Sequence, residues 1–415
     1  MAKLAIAGGK PVAQLKAPSW PVWDEADERR LLKVLRSGAW SWMGEMETEF
    51  NRRWAKFNGS KYSLLVTNGT HALQMAYEAL DIGYGDEVLV PASTWQATAA
   101  AALDVNAVPV LVDVDPDTWC IDPKAAEAAI TSRTRAIAAV HLYGCMADMD
   151  AILDLASRHG LHVVEDCAHQ HGAQWRGRGA GTLGDIGTFS FQQSKVMTAG
   201  EGGGILVQDD RLFGRLDQLR NCGRFSPHLP AETQRHLQSG NFRISEWQAA
   251  ALLGQLARLP EHLRRREACA KRLNKVLAEA PGVQPMKRHA AVTRQSYYCY
   301  AFRFLPEEWE GISRAGFCRA LSAEVGLGFS GGYEPLHKSS LYQPHTKRRH
   351  RITECYWEQI NPARFHLPVA ERLAYEEGVL TGHTSLLLTP SDMDKVGEAI
   401  EKLHQCQDEL RKVDL

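Results

Sequence analysis

Three short segments carry residue types that do chemistry, and each adjoins an apolar run. The first is Thr67-Asn68-Gly69-Thr70-His71-Ala72, between a β-rich run and an amphipathic one. Gly69 permits close backbone approach, and Thr70 sets a hydroxyl beside the unpaired amides of a helix start, which suits a phosphate. Taken alone, the segment reads equally as a turn with a threonine cap. The second is Val163-Val164-Glu165-Asp166-Cys167-Ala168-His169. Asp166 closes an apolar strand, where it would either face the ligand side of a sheet or cap the next helix. The third runs from Gly187 to Lys195 and is followed by Gly200-Glu201-Gly202-Gly203-Gly204. It places a lysine on a short loop between two apolar strands. A lone lysine is ordinarily a solvated surface group.

Together the three make a pyridoxal phosphate (PLP) order: phosphate loop, strand-end acid, lysine. PLP needs a lysine for its Schiff base, an acid to keep the pyridine nitrogen protonated, and donors for its phosphate. Asp166 would favour the pyridinium, because an opposite charge stabilises the charged form. Trp95, in Pro91-Ala92-Ser93-Thr94-Trp95, lies at another expected strand end and could stack on the ring. A G-x-x-x-x-G-K-[ST] loop, a G-x-G-x-x-G after a strand and an H-E-x-x-H zinc helix are all missing.

Positioning such residues requires a layered sheet. Expected strands are 62–67, 87–91, 108–114, 136–141, 161–165, 188–191 and 204–207. Several are apolar on both alternating faces, as in strands covered on both sides. Helical patterns over 70–80, 95–105, 123–130 and 149–159 lie between them. The alternation predicts an α/β fold with a mostly parallel sheet between helices, whose ligands bind beyond the carboxyl ends of the strands. Helical pattern dominates 244–278. A smaller α+β region follows, with strands expected at 296–304 and 383–388 and helices at 313–324, 356–359 and 390–412. The expected organisation is an N-terminal arm and large PLP-binding domain over 1–265 and a small C-terminal domain over 266–415. The basic run Lys347–Arg351 reads as a solvated loop, or as a contact for an anion or a second subunit.

The 415 residues carry 48 Lys+Arg against 49 Asp+Glu, a balance that argues against a nucleic-acid partner. At 44% hydrophobic residues the chain is too apolar for a disordered one. No apolar run approaches the roughly 18–20 residues of a membrane span. The start, MAKLAIAGGKPVAQ, has too short an apolar run for a signal-peptide core. Nine scattered cysteines without a C-x-x-C pair argue for a reducing, cytoplasmic location and against a zinc site.

Longer motifs extend the reading. AGGKPV near the start, Thr67–Ala72, Val140–Ile152 (VHLYGCMADMDAI), Glu165–Ala173 (EDCAHQHGA), Phe189–Gly203 (FSFQQSKVMTAGEGG) and Gly240–Ala249 (GNFRISEWQA) resemble the StrS/DegT-type PLP-dependent sugar aminotransferases. The resemblance covers nearly the whole chain and implies an aspartate-aminotransferase-like fold (PLP fold type I). It implies that Lys195 bonds the cofactor and that Asp166 pairs with the pyridine nitrogen. Trp95 and Ala168 would flank the ring, with Gly69, Thr70 and Ser190 on the phosphate. His169 stands where most of the family has Gln against the phenolic oxygen. Asn241 resembles the residue that reaches the phosphate from a neighbouring subunit, implying a homodimer with shared sites. Cys222 stands where many members have His.

Within the family, Trp95, Cys120–Pro123, Arg294–Tyr298, Leu336–Lys338 and Leu341-Tyr342 resemble the glutamine:scyllo-inosose aminotransferases. Ala168-His169 and Met197–Gly200 resemble 3-amino-5-hydroxybenzoate synthase instead. The implied reaction moves an amino group from glutamine or glutamate to a ketone on a cyclitol or sugar, in aminocyclitol or amino-sugar biosynthesis. Tyr297, Tyr298, His337 and His383 are candidates for the acceptor's hydroxyls. Two other readings stand beside it: an enzyme like 3-amino-5-hydroxybenzoate synthase, and a PLP-binding regulator without catalysis.

Overall fold

The computed structural model describes residues 3–347 and 353–414. After helices α1 (Glu25–Ser37) and α2 (Glu45–Asn58), strand and helix alternate. The order is β1 (Tyr62–Val66), α3 (Gly69–Ala79), β2 (Glu87–Pro91), α4 (Ala97–Asp104), β3 (Val108–Val112), α5 (Pro123–Ala128), β4 (Thr134–Val140), α6 (Met149–His159) and β5 (His162–Asp166). Short strands β6 (Gln174–Trp175) and β7 (Arg178–Gly179) lead to β8 (Ile186–Ser190), β9 (Gly203–Val207) and α7 (Asp210–Arg220). The local signals behind these elements are legible. Asn68, Asp122, Asp148 and Asp209 each accept a backbone amide at a helix start, and α6 ends on Gly160 at φ 65°.

Seven strands form one sheet in the order β1-β9-β8-β5-β4-β2-β3. Every pairing is parallel except those of β9, which runs against β1 and β8. Strands β2 and β9 are buried at every residue, as in a sheet covered on both faces. The parallel direction brings the carboxyl ends of β1, β2, β4, β5 and β8 to one edge. The segments after them are the 67–72, 92–98, 141–143, 166–169 and 191–195 loops.

Helix α8 (Glu246–Glu279) then carries the chain from one hydrophobic core to another. Its residues up to Leu263 pack with the large sheet, and Cys269 to Leu277 belong to the second core. That second core is completed by β10 (Val283–Pro285), β12 (Cys299–Phe304), α9 (Arg314–Val325), β13 (Phe329–Ser330), β14 (Gly378–Gly382), α12 (Asp394–Gln405) and α13 (Gln407–Asp414). Strand β11 (Val292–Arg294) pairs instead with β6 beside the large sheet. Leu4 reaches into the second core from the N-terminus, while Leu336, Tyr356 in α10 (Glu354–Ile360) and Ala370 in α11 (Pro368–Arg372) return to the first.

Two sequence expectations need correction here. Residues 383–388 are not a strand: the strand is Gly378–Gly382, paired in register with β12, and Ser385–Leu387 form a 3-10 turn. Leu386 packs in the second core and Leu387 is buried, both without a ladder partner. The single helix expected over 390–412 is a 3-10 turn, α12 and α13, broken at Cys406. Of the basic run Lys347–Arg351, only Lys347 falls among the described residues, ion-paired with Asp104.

Candidate active site

A cavity of about 520 Å³ opens at the carboxyl edge of the large sheet. Its wall takes residues from the loops after β1, β2, β4, β5 and β8, including Gly69, Thr70, Trp95, Asp166, Ala168, His169, Ser190 and Lys195, and is closed by Tyr298 ahead of β12.

Asp166 ends β5 and is 7% exposed. One carboxylate oxygen accepts from Thr98 Oγ1 at 2.9 Å and the other from the Ala168 amide at 3.2 Å. Burial pushes its pKa up, against these donors and the more distant Lys195 and His141 charges. No cationic side chain forms an ion pair with it among the described residues. A buried carboxylate in that state is completed by a cation brought in from outside, such as a protonated ring nitrogen. Thr98, fully buried on α4, is a site residue that the motifs do not reveal. Thr98→Val is expected to lower turnover about 5- to 100-fold, the worth of one donor to a buried charge. Steady-state kinetics measure it.

Lys195 sits on the loop between β8 and β9 and is nearly buried. Its Nζ lies 4.2 Å from the centre of the Tyr298 ring. Burial lowers its pKa to about 8, with Asp166 pulling the other way. The amine is therefore largely uncharged at mildly alkaline pH. Tyr298 in turn bonds Ser194 Oγ at 3.0 Å and stacks on His169 with ring centres 4.0 Å apart.

His169 answers the question its identity raises. Its Nδ1 accepts the Tyr143 amide at 3.1 Å. The neutral ring therefore carries its proton on Nε2, a donor like the amide of Gln. Burial, with the Lys195 charge, holds its pKa well below the usual value, so it stays neutral.

The 67–72 loop is pressed against the strands. Asn68 caps α3 through the His71 amide at 2.8 Å. A side chain on Gly69 would meet Ser190 Cβ at 2.9 Å, and one on Gly203 would meet the Asn68 carbonyl carbon at 2.3 Å. Only glycine lets the amides of the helix start and the Thr70 and Ser190 hydroxyls converge on one space. Trp95 is 47% exposed and leans on Tyr333, with ring centres 5.7 Å apart. The cavity thus fits PLP: an amine, a buried acid lacking a cation, and a polar cradle at a helix start.

Three proposed substrate residues fall outside the cavity. Tyr297 points into the second core beside Gly144, on the opposite side from its neighbour Tyr298. His337 bonds Glu371 at 2.8 Å and is buried there. His383 has both ring nitrogens engaged, with Arg266 and with the Ser194 carbonyl. Asn241 lies exposed, bridged to Asn221, outside its own chain's cavity. The structure adds to the wall Thr94, Gln192 and Ser194, which the motifs contain without a role, and Tyr333, which lies beyond them. Close by, His141, Glu165 and Cys167 gather within 4.8 Å. Glu165 already accepts from His141 and from the Gly181, Leu183 and Gly184 amides, and this cluster is structural.

Residues 21–381 match the DegT/DnrJ/EryC1/StrS aminotransferase family. The L-glutamine:2-deoxy-scyllo-inosose aminotransferase of Streptoalloteichus tenebrarius is 41% identical over 424 aligned positions, covering 98% of this chain and 99% of that protein. The L-glutamine:scyllo-inosose aminotransferase of Streptomyces griseus is 40% identical, covering 96% and 97%. Among solved structures, 3-amino-5-hydroxybenzoic acid synthase superposes with a TM-score of 0.80 at 33% identity, over 93% of this chain and 98% of that one. The fold is that of the type I PLP aminotransferases.

Proposed function

Because the chain belongs to the DegT/DnrJ/EryC1/StrS aminotransferase family, we propose that it moves an amino group from glutamine or glutamate to a ketone on a cyclitol of the scyllo-inosose type, with PLP as cofactor. The observation that carries the reading is the meeting of Lys195 and Asp166 in one cavity of a chain alike over its full length to glutamine:inosose aminotransferases.

When bound, PLP supplies an electron sink for the bond broken at the donor's α carbon. The protein's own groups do the rest. Lys195 would hold the cofactor covalently, and its Nζ, once free, would take and return a proton, suited by a pKa near 8. Asp166, oriented by Thr98 and the Ala168 amide, keeps a positive charge on the ring nitrogen. His169 would offer Nε2–H to the phenolic oxygen. The α3 amides, Thr70 and Ser190 would hold the phosphate, with Trp95 and Ala168 beside the ring. Tyr298, Trp95 and Tyr333 form an aromatic wall against which the apolar face of a cyclitol packs. Asn241, exposed and away from its own cavity, supports a homodimer in which it serves the neighbouring subunit's site. All nine cysteines are free, which supports a cytoplasmic setting. No helix among the described residues is long and apolar enough to cross a membrane.

The second reading, an enzyme like 3-amino-5-hydroxybenzoate synthase, draws on Ala168-His169 and on the superposition with that structure. The higher identity of the inosose enzymes favours amino transfer. The test is a pair of half-reactions. Glutamine should bleach the yellow protein, and scyllo-inosose should restore the colour and yield an amino-cyclitol by mass spectrometry. Colour that no amino donor changes would favour a regulator. Bleaching that keto-cyclitols and keto-sugars fail to reverse would overturn the acceptor class.

A further inference from the structure

Arg266 on α8 is fully buried, and no carboxylate pairs with it among the described residues. Its Nη2 donates to His383 Nδ1 at 3.0 Å, its Cζ lies 5.5 Å from the Trp20 ring centre, and Nη1 has no hydrogen-bond partner. A guanidinium can only donate. His383 Nδ1 must therefore accept, and the ring keeps its proton on Nε2. That N–H donates to the Ser194 carbonyl at 3.1 Å. Trp20 Nε1 donates to the preceding carbonyl, Gln193, at 3.2 Å, and its ring meets His383 edge-on with centres 4.7 Å apart. The two carbonyls immediately before Lys195 are thus held from outside the large sheet. Trp20 comes from the N-terminal segment, and His383 follows the second core's strand β14.

A buried cation without an anion is costly, and the π face of Trp20, the His383 ring and the His383 carbonyl, which accepts from Nε at 3.4 Å, compensate it. The arrangement has one evident product. It keeps His383 neutral and in one tautomer, aimed at the loop that carries the reactive amine. Burial, then the Arg266 charge, holds His383 down to about 3.

We propose that Arg266, His383 and Trp20 form a clasp that sets where Lys195 Nζ stands, acting as positioning residues rather than as ligands of the substrate. The clasp joins the second core and the N-terminal segment to the lysine loop, so a shift of either would be felt at the amine.

The test compares His383→Leu, which removes both hydrogen bonds, with His383→Gln, whose amide can accept from Arg266 and donate to Ser194. The first readout is hydrogen–deuterium exchange of peptides spanning 192–198 in the cofactor-free protein. Exchange should rise about 10-fold or more in His383→Leu and stay within about 3-fold of wild type in His383→Gln. The second readout, which rests on the aminotransferase reading, is steady-state kinetics. Turnover should fall about 10- to 100-fold in His383→Leu with KM for glutamine within about 3-fold, and His383→Gln should recover most of it. Should His383→Leu fail to fold, Trp20→Phe keeps the ring, loses the N–H, and is read in the same way. Unchanged exchange in His383→Leu, or equal loss in the Leu and Gln variants, would overturn the clasp. The expected exchange with no transamination by the wild type would leave the clasp standing and sink the functional reading alone.

Discussion

Replacing Lys195 by alanine is expected to cut turnover by about 10⁴-fold or more and to leave the purified protein colourless. No other amine can take over. Lys195 is the lysine in the cavity wall, and the Tyr298 face and the Asp166 field both favour a cation at its position. The fold should survive, since the side chain makes no ion pair among the described residues and burial already disfavours its charge. Circular dichroism and the melting temperature should therefore match those of cofactor-free wild type. The same geometry gives a pH signature. Below about 8 the amine is mostly cationic, and above it neutral and nucleophilic. The rate at which added PLP colours cofactor-free protein should rise with pH through that value. A rate without an inflection there would show that burial does not govern the amine.

Asp166→Asn should cost about 10²- to 10³-fold in turnover, the equivalent of about 2–3 units of lost support for the ring nitrogen's proton. Its effect on stability should have opposite signs in the two forms of the protein. In the cofactor-free form, burial raises the Asp166 pKa above its unfolded value. The folded state therefore binds the proton more tightly than the unfolded one. Stability from this group falls as pH rises through that window, so at neutral pH the ionised carboxylate is a cost. Asparagine removes the charge, keeps an oxygen for the Ala168 amide and can donate its NH2 to the Thr98 hydroxyl, so the cofactor-free melting temperature should rise. With PLP bound, the carboxylate gains its cation, and the substitution should lower both the melting temperature and the cofactor's affinity. Calorimetry of both forms decides it. A drop in melting temperature without cofactor would mean that Asp166 serves the fold itself.

The lysine, the strand-end acid and the glycine-bearing helix start were legible because each follows a short apolar run in a strict order. In a parallel sheet all such runs end at one edge. The same periodicity could not separate Tyr297 from Tyr298. Both precede β12, and the backbone bonds of Tyr298 to Tyr143 and His383 fix the turn at which Tyr298, not Tyr297, faces Lys195. Thr98 was hidden because a threonine in an alanine-rich helix has no motif. It becomes a site residue only when α4 is laid beside the end of β5. His337 and His383 read from the sequence as candidates for the acceptor's hydroxyls. Their partners, Glu371 and the Arg266 and Ser194 pair, are 34, 117 and 189 positions away.

What the residues alone determined is the set of chemical groups, a lysine, an acid and a glycine-bearing helix start in family order, on apolar strands that predict a mostly parallel sheet covered on both faces. Their identities carry that chemistry wherever the fold sets them. What only the tertiary structure decided is the state of each group. The amine near pKa 8, the acid without a cation, the neutral Nε2–H of His169 and the clasp on Lys195 all arise from burial and from contacts between distant segments. Desolvation and hydrogen-bond geometry depend on position in space, which spacing along a chain does not encode.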